Sequence, residues 1–110
     1  MHFETIHTET RDGFDIVFSV APEDTPPEDL FDDGDETVSA IRAGRFCWFI
    51  ARVEAKKAGI TLATDYLGGC CYDNPAQFVA DGDYYADMVD AAITEARATV
   101  AKLTAAVVEG

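Results

Sequence analysis

The stretch Arg45-Phe46-Cys47-Trp48-Phe49-Ile50-Ala51-Arg52-Val53-Glu54-Ala55 decides the fold. Phe46, Trp48 and Ile50 alternate with Cys47, Phe49, Ala51 and Val53, so a strand made of these residues is apolar on both faces at its centre. Such a strand belongs inside a sheet, with something packed on each side or one face sealed by a partner. A single helix covers only one face. Trp48 or Phe49 is therefore expected to be covered by a second protomer or by a binding partner, because a large exposed apolar patch is unusual in a monomer.

Downstream, Lys56-Lys57-Ala58-Gly59 turns the chain. Ile60, Leu62 and Thr64 open a further strand that runs through Tyr66 and Leu67 to Cys70-Cys71-Tyr72. Gly68-Gly69 inside it marks a bulge or a close backbone approach. Asp73-Asn74-Pro75 reads as a helix start, a capping side chain followed by proline at the first helical position. Ala76 to Ala80 makes one short turn, which Asp81-Gly82 breaks. Asp83 then caps a long final helix, where Tyr85, Met88, Val89, Ala92, Ala96, Val100, Leu103 and Val107 recur at spacings of three and four and form one stripe.

Upstream, two alternating runs flank Asp12-Gly13, a β-hairpin signal. Phe3, Thr5, His7 and Glu9 are expected on one face of the first strand; Phe14, Ile16, Phe18 and Val20 share a face of the second, which Pro22 ends. From Glu23 to Glu36 the chain carries eight acids, two prolines and no basic residue, an exposed loop with one helical turn after Pro27. Thr37 to Ala43 reads as a short helix or as the lead-in to the next strand. The expected fold is α+β, one domain over residues 1–110: a four-stranded antiparallel sheet, the long C-terminal helix on one face, and the acidic loop between strands 2 and 3.

Charge narrows the function. Twenty-one Asp and Glu stand against eight Lys and Arg, a net charge of −13. Such a field repels nucleic acid and anionic membranes and attracts basic surfaces. General acidity of the halophile kind is the competing cause, and only three of the eight basic residues are lysine. No run of about 18 apolar residues occurs, and Met1-His2-Phe3-Glu4 lacks the features of a signal peptide, so the expected location is the cytoplasm. Cys47, Cys70 and Cys71 fit reduced, mostly buried thiols: adjacent strand residues point to opposite faces, which leaves no disulfide framework.

Catalytic and metal motifs are missing from the pattern. Aligning a Ca²⁺ loop on Gly34 puts Asp29 first and Asp33 fifth, but Phe31 and Ala40 occupy two ligand places. The cysteines and His2 and His7 lack zinc spacing. His7 is the one plausible base for a cysteine nucleophile and reads instead as a surface residue on an edge strand. Glu54 and Asp65 read as solvent-facing strand positions, and Gly68-Gly69 lacks the lysine and helix start of a phosphate loop. No cofactor or metal is expected. The strongest surface signal is Asp81, Asp83, Asp87 and Asp90 around one helix start, with Tyr84 among them. Carboxylates so spaced can imitate successive phosphates.

From Arg45 to Arg97, the strings Arg45-Phe46-Cys47-Trp48-Phe49, Ala58-Gly59-Ile60-Thr61-Leu62, Asp65-Tyr66-Leu67-Gly68-Gly69-Cys70-Cys71-Tyr72 and Asp83-Tyr84-Tyr85-Ala86-Asp87-Met88-Val89 resemble small acidic proteins of bacteriophages and mobile elements. The resemblance covers about half the chain and brings no activity to transfer residue by residue. In profile such proteins are similar to anti-CRISPR and anti-restriction inhibitors. The resemblance implies a non-catalytic, phage-encoded inhibitor that binds a basic surface of a host nucleic-acid-binding defence complex, itself touching neither nucleic acid nor membrane. Its candidate contacts are Asp81, Asp83, Tyr84, Asp87 and Asp90 on the helix and Asp32, Asp33, Asp35 and Glu36 in the loop. The alternative is a halophilic or housekeeping α+β domain that forms a homodimer or binds a small ligand.

Overall fold

Two tight hairpins organise the computed structural model, which describes residues 2–31 and 36–109. β1 (Glu4–Arg11) and β2 (Phe14–Pro22) meet at Asp12-Gly13, and β3 (Cys47–Lys57) and β4 (Ile60–Tyr72) at Ala58-Gly59. Both residues of each turn have positive φ, the geometry whose twist matches that of the paired strands. β2 and β3 pair as well, so the sheet is antiparallel in the order β1-β2-β3-β4, with both hairpin turns at one end. The expected four-stranded α+β fold is the observed one.

Three helices complete it: α1 (Glu36–Arg42), α2 (Pro75–Asp81) and α3 (Asp83–Glu109). Phe14, Ile16, Phe18, Phe49, Ala51, Val53, Ala55 and Ala63 line one face of the sheet. Against them lie Tyr85, Met88, Val89, Ala92, Ile93 and Ala96 of α3. Alanines on both sides let helix and sheet approach closely, and Ala51, Ala55, Ala92 and Ala96 are all fully buried. The stripe outruns the sheet: Leu103 is 56 % and Val107 81 % exposed. The core function expected of these two residues therefore does not hold, and their stretch of helix projects past the hairpin end.

α2 is more than the short turn expected of it. Asn74 caps it by accepting the Gln77 backbone N–H at 3.0 Å, Pro75 opens it, and Phe78 is buried at its centre. That ring stacks on Phe18, with centroids 5.2 Å apart and planes 6° from parallel. Tyr72, Phe49 and Tyr85 meet it edge-on.

The first strand departs from simple alternation. A register shift between Thr5 and His7 pairs Thr5 with Ser19 and His7 with Phe18, which puts these two residues on opposite faces. The bulge turns His7 and Glu9 toward α3. Phe3 folds back across the far face, 6.2 Å from the Tyr66 ring and with the Arg52 guanidinium 4.2 Å from its own. This cover accounts for the complete burial of Ser19 on the face away from α3.

The second face of β3 is likewise sealed from within the chain. Trp48 donates its indole N–H to the Thr25 carbonyl at 2.8 Å and packs against Phe31, centroids 5.9 Å apart. Phe49 belongs to the core under the helices. A second protomer or partner is thus not needed to cover either ring. The Glu23–Phe31 segment does it, pinned by a 3₁₀ turn at Pro27–Asp29 and by the Glu28–Arg42 ion pair to α1. Residue 36, assigned to the loop by its charge, is the first residue of α1.

Gly68-Gly69 is the bulge expected: Leu67 pairs with Ala51 and Cys70 with Phe49, two residues against one. The Gly69 N–H, freed from the ladder, donates to the Glu23 carboxylate at 2.9 Å. Gly69 has φ +68°, and a Cβ there would sit 2.9 Å from the Leu30 side chain. The leucine end can move, but the backbone angle cannot. Gly69→Ala should cost about 1–2 kcal/mol, the penalty for a left-handed L-residue, and adding Leu30→Ala should recover little of it. Urea denaturation of the single and double variants measures both.

Candidate functional site

α3 sets its buried stripe against the sheet, so the residues between face solvent. Asp83, Asp87 and Asp90 stand at i, i+4 and i+7 and are all exposed, one row about 10 Å long. Asp81, the last residue of α2, is exposed beside them, and Tyr84 is 59 % exposed. Gly82, with φ +83°, ends α2 and lets α3 start one residue later. The five helix candidates are therefore brought together at the α2–α3 corner. Glu36 is exposed at the start of α1; Asp32, Asp33 and Asp35 lie outside the described residues.

A cleft of about 510 Å³ opens at the same corner. Phe31, Phe46, Tyr72, Phe78 and Tyr84 contribute rings to it, the β4 bulge contributes Gly68 and Gly69, and Thr37 lines it from α1. Thr37 is the chain neighbour of Glu36, and Tyr84 of Asp83, so one opening joins the α1 and α3 acidic segments. Charge patterning pointed to the acids. Tyr84 was legible beside the helix acids; the cleft itself was not, because five separate segments supply its rings.

Carboxylates act on the groups that line this cleft. Burial pushes the Tyr72 phenol upward, and Asp81 and Asp83 add to the rise. The Cys71 thiol is raised by burial, then by Cys47 and Asp73. Cys70 is pushed to about 11, mainly by burial and further by Glu23. A thiol held protonated this firmly is a poor nucleophile. A Cys70–His7 dyad is also out of reach, since the two sit on opposite edge strands roughly 14 Å apart at the usual strand spacing. Among the described residues no group of three or more His, Cys, Asp or Glu is placed to hold a metal, and no helix is long and apolar enough to cross a membrane.

No protein-family model, curated protein or solved structure matches the chain.

Elsewhere several acids are engaged internally. Glu28 pairs with Arg42, Glu54 with Arg52, and Asp12 with Arg97. Glu54 also accepts the Thr61 hydroxyl at 3.3 Å, so it is a tied strand residue rather than a free solvent-facing one. Glu9 carries the largest network: it accepts the Tyr85 phenol at 2.7 Å, lies 3.0 Å from His7 Nε2 and pairs with Arg11 at 2.6 Å. His7 is half-buried, its ring edge-on to Tyr85, not simply a surface residue. This cluster ties the edge strand to α3 across 76 positions of sequence.

The Tyr85 hydrogen bond holds the Glu9 carboxyl below its ordinary value of 4.5, with His7 and Arg11 assisting and burial opposing. A carboxyl depressed in the fold adds stability that is complete above its unfolded value and fades as pH falls through the folded one. Tyr85→Phe should cost about 1.5–3 kcal/mol at neutral pH, the range for a hydrogen bond to a charged group. The gap between the two proteins should narrow as pH drops below 4.5. Chemical denaturation at stepped pH tests this.

Proposed function

We propose that the chain is a non-catalytic inhibitor that docks on a basic surface of a nucleic-acid-binding defence complex in the host cytoplasm, of the kind phages and mobile elements encode. One observation supports this most directly. Among the described residues, Asp81, Asp83, Asp87 and Asp90 take part in no ion pair, whereas Glu9, Asp12, Glu28 and Glu54 each meet a cation of the chain. Glu4, Asp15, Asp24, Asp29, Asp65 and Glu95 are also in no ion pair among the described residues; what distinguishes Asp83, Asp87 and Asp90 is that they form one exposed row on an ordered helix.

Order matters as much as charge. Backbone already fixed in a helix avoids the roughly 1–2 kcal/mol per residue that a loop gives up when it is ordered on binding. Lys56 and Lys57 precede the β3–β4 turn and Arg97 pairs with Asp12 of the β1–β2 turn, all toward the other end; Arg42 is held by Glu28, and Arg45 stands just before Phe46. From Asp73 to Ala96, the stretch that builds α2 and the acidic row, the chain has no lysine or arginine. Tyr84 adds exposed ring area of the type enriched at interfaces.

Capture of a nucleic-acid-binding protein from bacterial host lysate, followed by salt titration and competition with duplex DNA, tests the proposal. Affinity should fall steeply as the screening length shortens from roughly 8 Å at physiological ionic strength to about 3 Å at 1 M, and DNA should compete. Replacing Asp83, Asp87 and Asp90 together by Asn should weaken capture by at least about tenfold. Exposed pairs are worth under about 1 kcal/mol singly, hence the triple change. The control Asp24→Asn, Asp29→Asn, Glu95→Gln should cost less. Salt-independent capture, or an equal loss from the control, would overturn the assignment.

A further inference from the structure

The aromatic cleft has a charge preference that its rings alone do not supply. Its volume of about 510 Å³ falls within the roughly 300–1,000 Å³ of ordinary binding pockets. Five rings line it and no lysine or arginine does. Burial is the main cause that raises the titration of Cys70, Cys71 and Tyr72, and Glu23, Asp73, and Asp81 with Asp83 add smaller contributions in the same direction. Exposed Asp81 and Asp83 stand beside Tyr84, which forms part of the wall, so their carboxylates flank the opening. Their charge opposes an anion and rewards a cation, and the rings reward a cation with a flat or apolar body.

We propose that this cleft receives an arginine side chain of the basic partner, the guanidinium lying against the Tyr72 and Tyr84 rings within reach of Asp81 and Asp83. Arginine fits better than lysine. Its planar group stacks on aromatic faces, sheds water more easily, and offers several N–H donors to flanking carboxylates. Arginine is also among the residues that most often anchor an interface in a central pocket ringed by weaker contacts, and the acidic row of α3 is positioned as that ring. This assignment rests on the reading of the partner as basic.

The probes are three acetylated, amidated tripeptides, Gly-Arg-Gly, Gly-Lys-Gly and Gly-norleucine-Gly, titrated into ¹⁵N-labelled protein and followed by amide chemical shifts. The arginine probe should bind saturably and move the resonances of Gly68, Gly69, Cys71 and Tyr84. The lysine probe should bind several-fold more weakly and the norleucine probe not at all. Tyr84→Ala removes an exposed side chain and should leave the fold intact while weakening the arginine probe about tenfold, the scale of one partly desolvated cation–ring contact. Phe46→Ala should act in the same direction. Asp90→Asn, farther along α3, should have little effect.

Norleucine binding as well as arginine, arginine shifts confined to the outer row of α3, or no binding would each overturn the assignment. The partner-capture experiment separates the two proposals. If Tyr84→Ala and Phe46→Ala leave capture unchanged while the triple Asp→Asn protein loses it, the arginine cleft fails and the acidic docking face stands. Loss of salt sensitivity in capture would remove both.

Discussion

The buried ring of Phe78 is the contact on which the arrangement of the acidic corner depends. α2 has seven residues, too few to hold a helix in water on its own propensity. What places it is Phe78, stacked on Phe18 and edged by Phe49, Tyr72 and Tyr85. Losing such a ring costs about 3–5 kcal/mol, a large part of the roughly 5–15 kcal/mol that holds a domain folded. Gly82 then turns the chain within one residue, so the start of α3, and with it Asp83 and Tyr84, is set by where Phe78 sits. The same ring lines the cleft. Core and candidate site share one wall.

Features with local causes were legible in the sequence. Both hairpins, the Asn74 cap with Pro75 behind it, the Gly68-Gly69 bulge and the long helix each follow from neighbouring residues, and each stands where expected. Features made by distant segments were not. The bulge after Thr5 leaves no glycine or proline to mark it, yet it reverses which face His7 occupies. Trp48 looked as though it needed a partner because nothing local says that a proline-rich acidic segment will fold back over it. The row Asp83, Asp87 and Asp90 was readable from helical spacing alone. The cleft beside it was not, since Phe31, Phe46, Tyr72 and Tyr84 share no pattern along the chain.

Composition treats all 21 acids alike; the fold sorts them. Glu23 is a clear case: it lies in the most acidic stretch, yet its carboxylate satisfies the backbone N–H that the β4 bulge leaves unpaired. An unpaired buried donor costs about 1–3 kcal/mol, so this acid serves the sheet. Glu28 fastens the covering segment to α1, and Glu9 fastens an edge strand to α3. These residues add to the net charge without offering themselves to a partner. The acids of the corner have no such internal use among the described residues, which is why net charge overstates the binding surface and position defines it.

Support along α3 is uneven. From Tyr85 to Ala96 the sheet holds one side of the helix; from Ala101 to Val107 every residue is exposed. There the helix relies on backbone hydrogen bonds and on the high helical propensity of Ala101, Ala105 and Ala106. Opening a turn in that stretch breaks few tertiary contacts, so it requires far less free energy than opening a turn over the core. One continuous helix therefore contains a gradient of amide exchange rates: slow beneath Val89 and Ala92, fast at Leu103 and beyond. Asp87 and Asp90 of the acidic row lie over the supported stretch, and fraying at the far end can proceed without disturbing them.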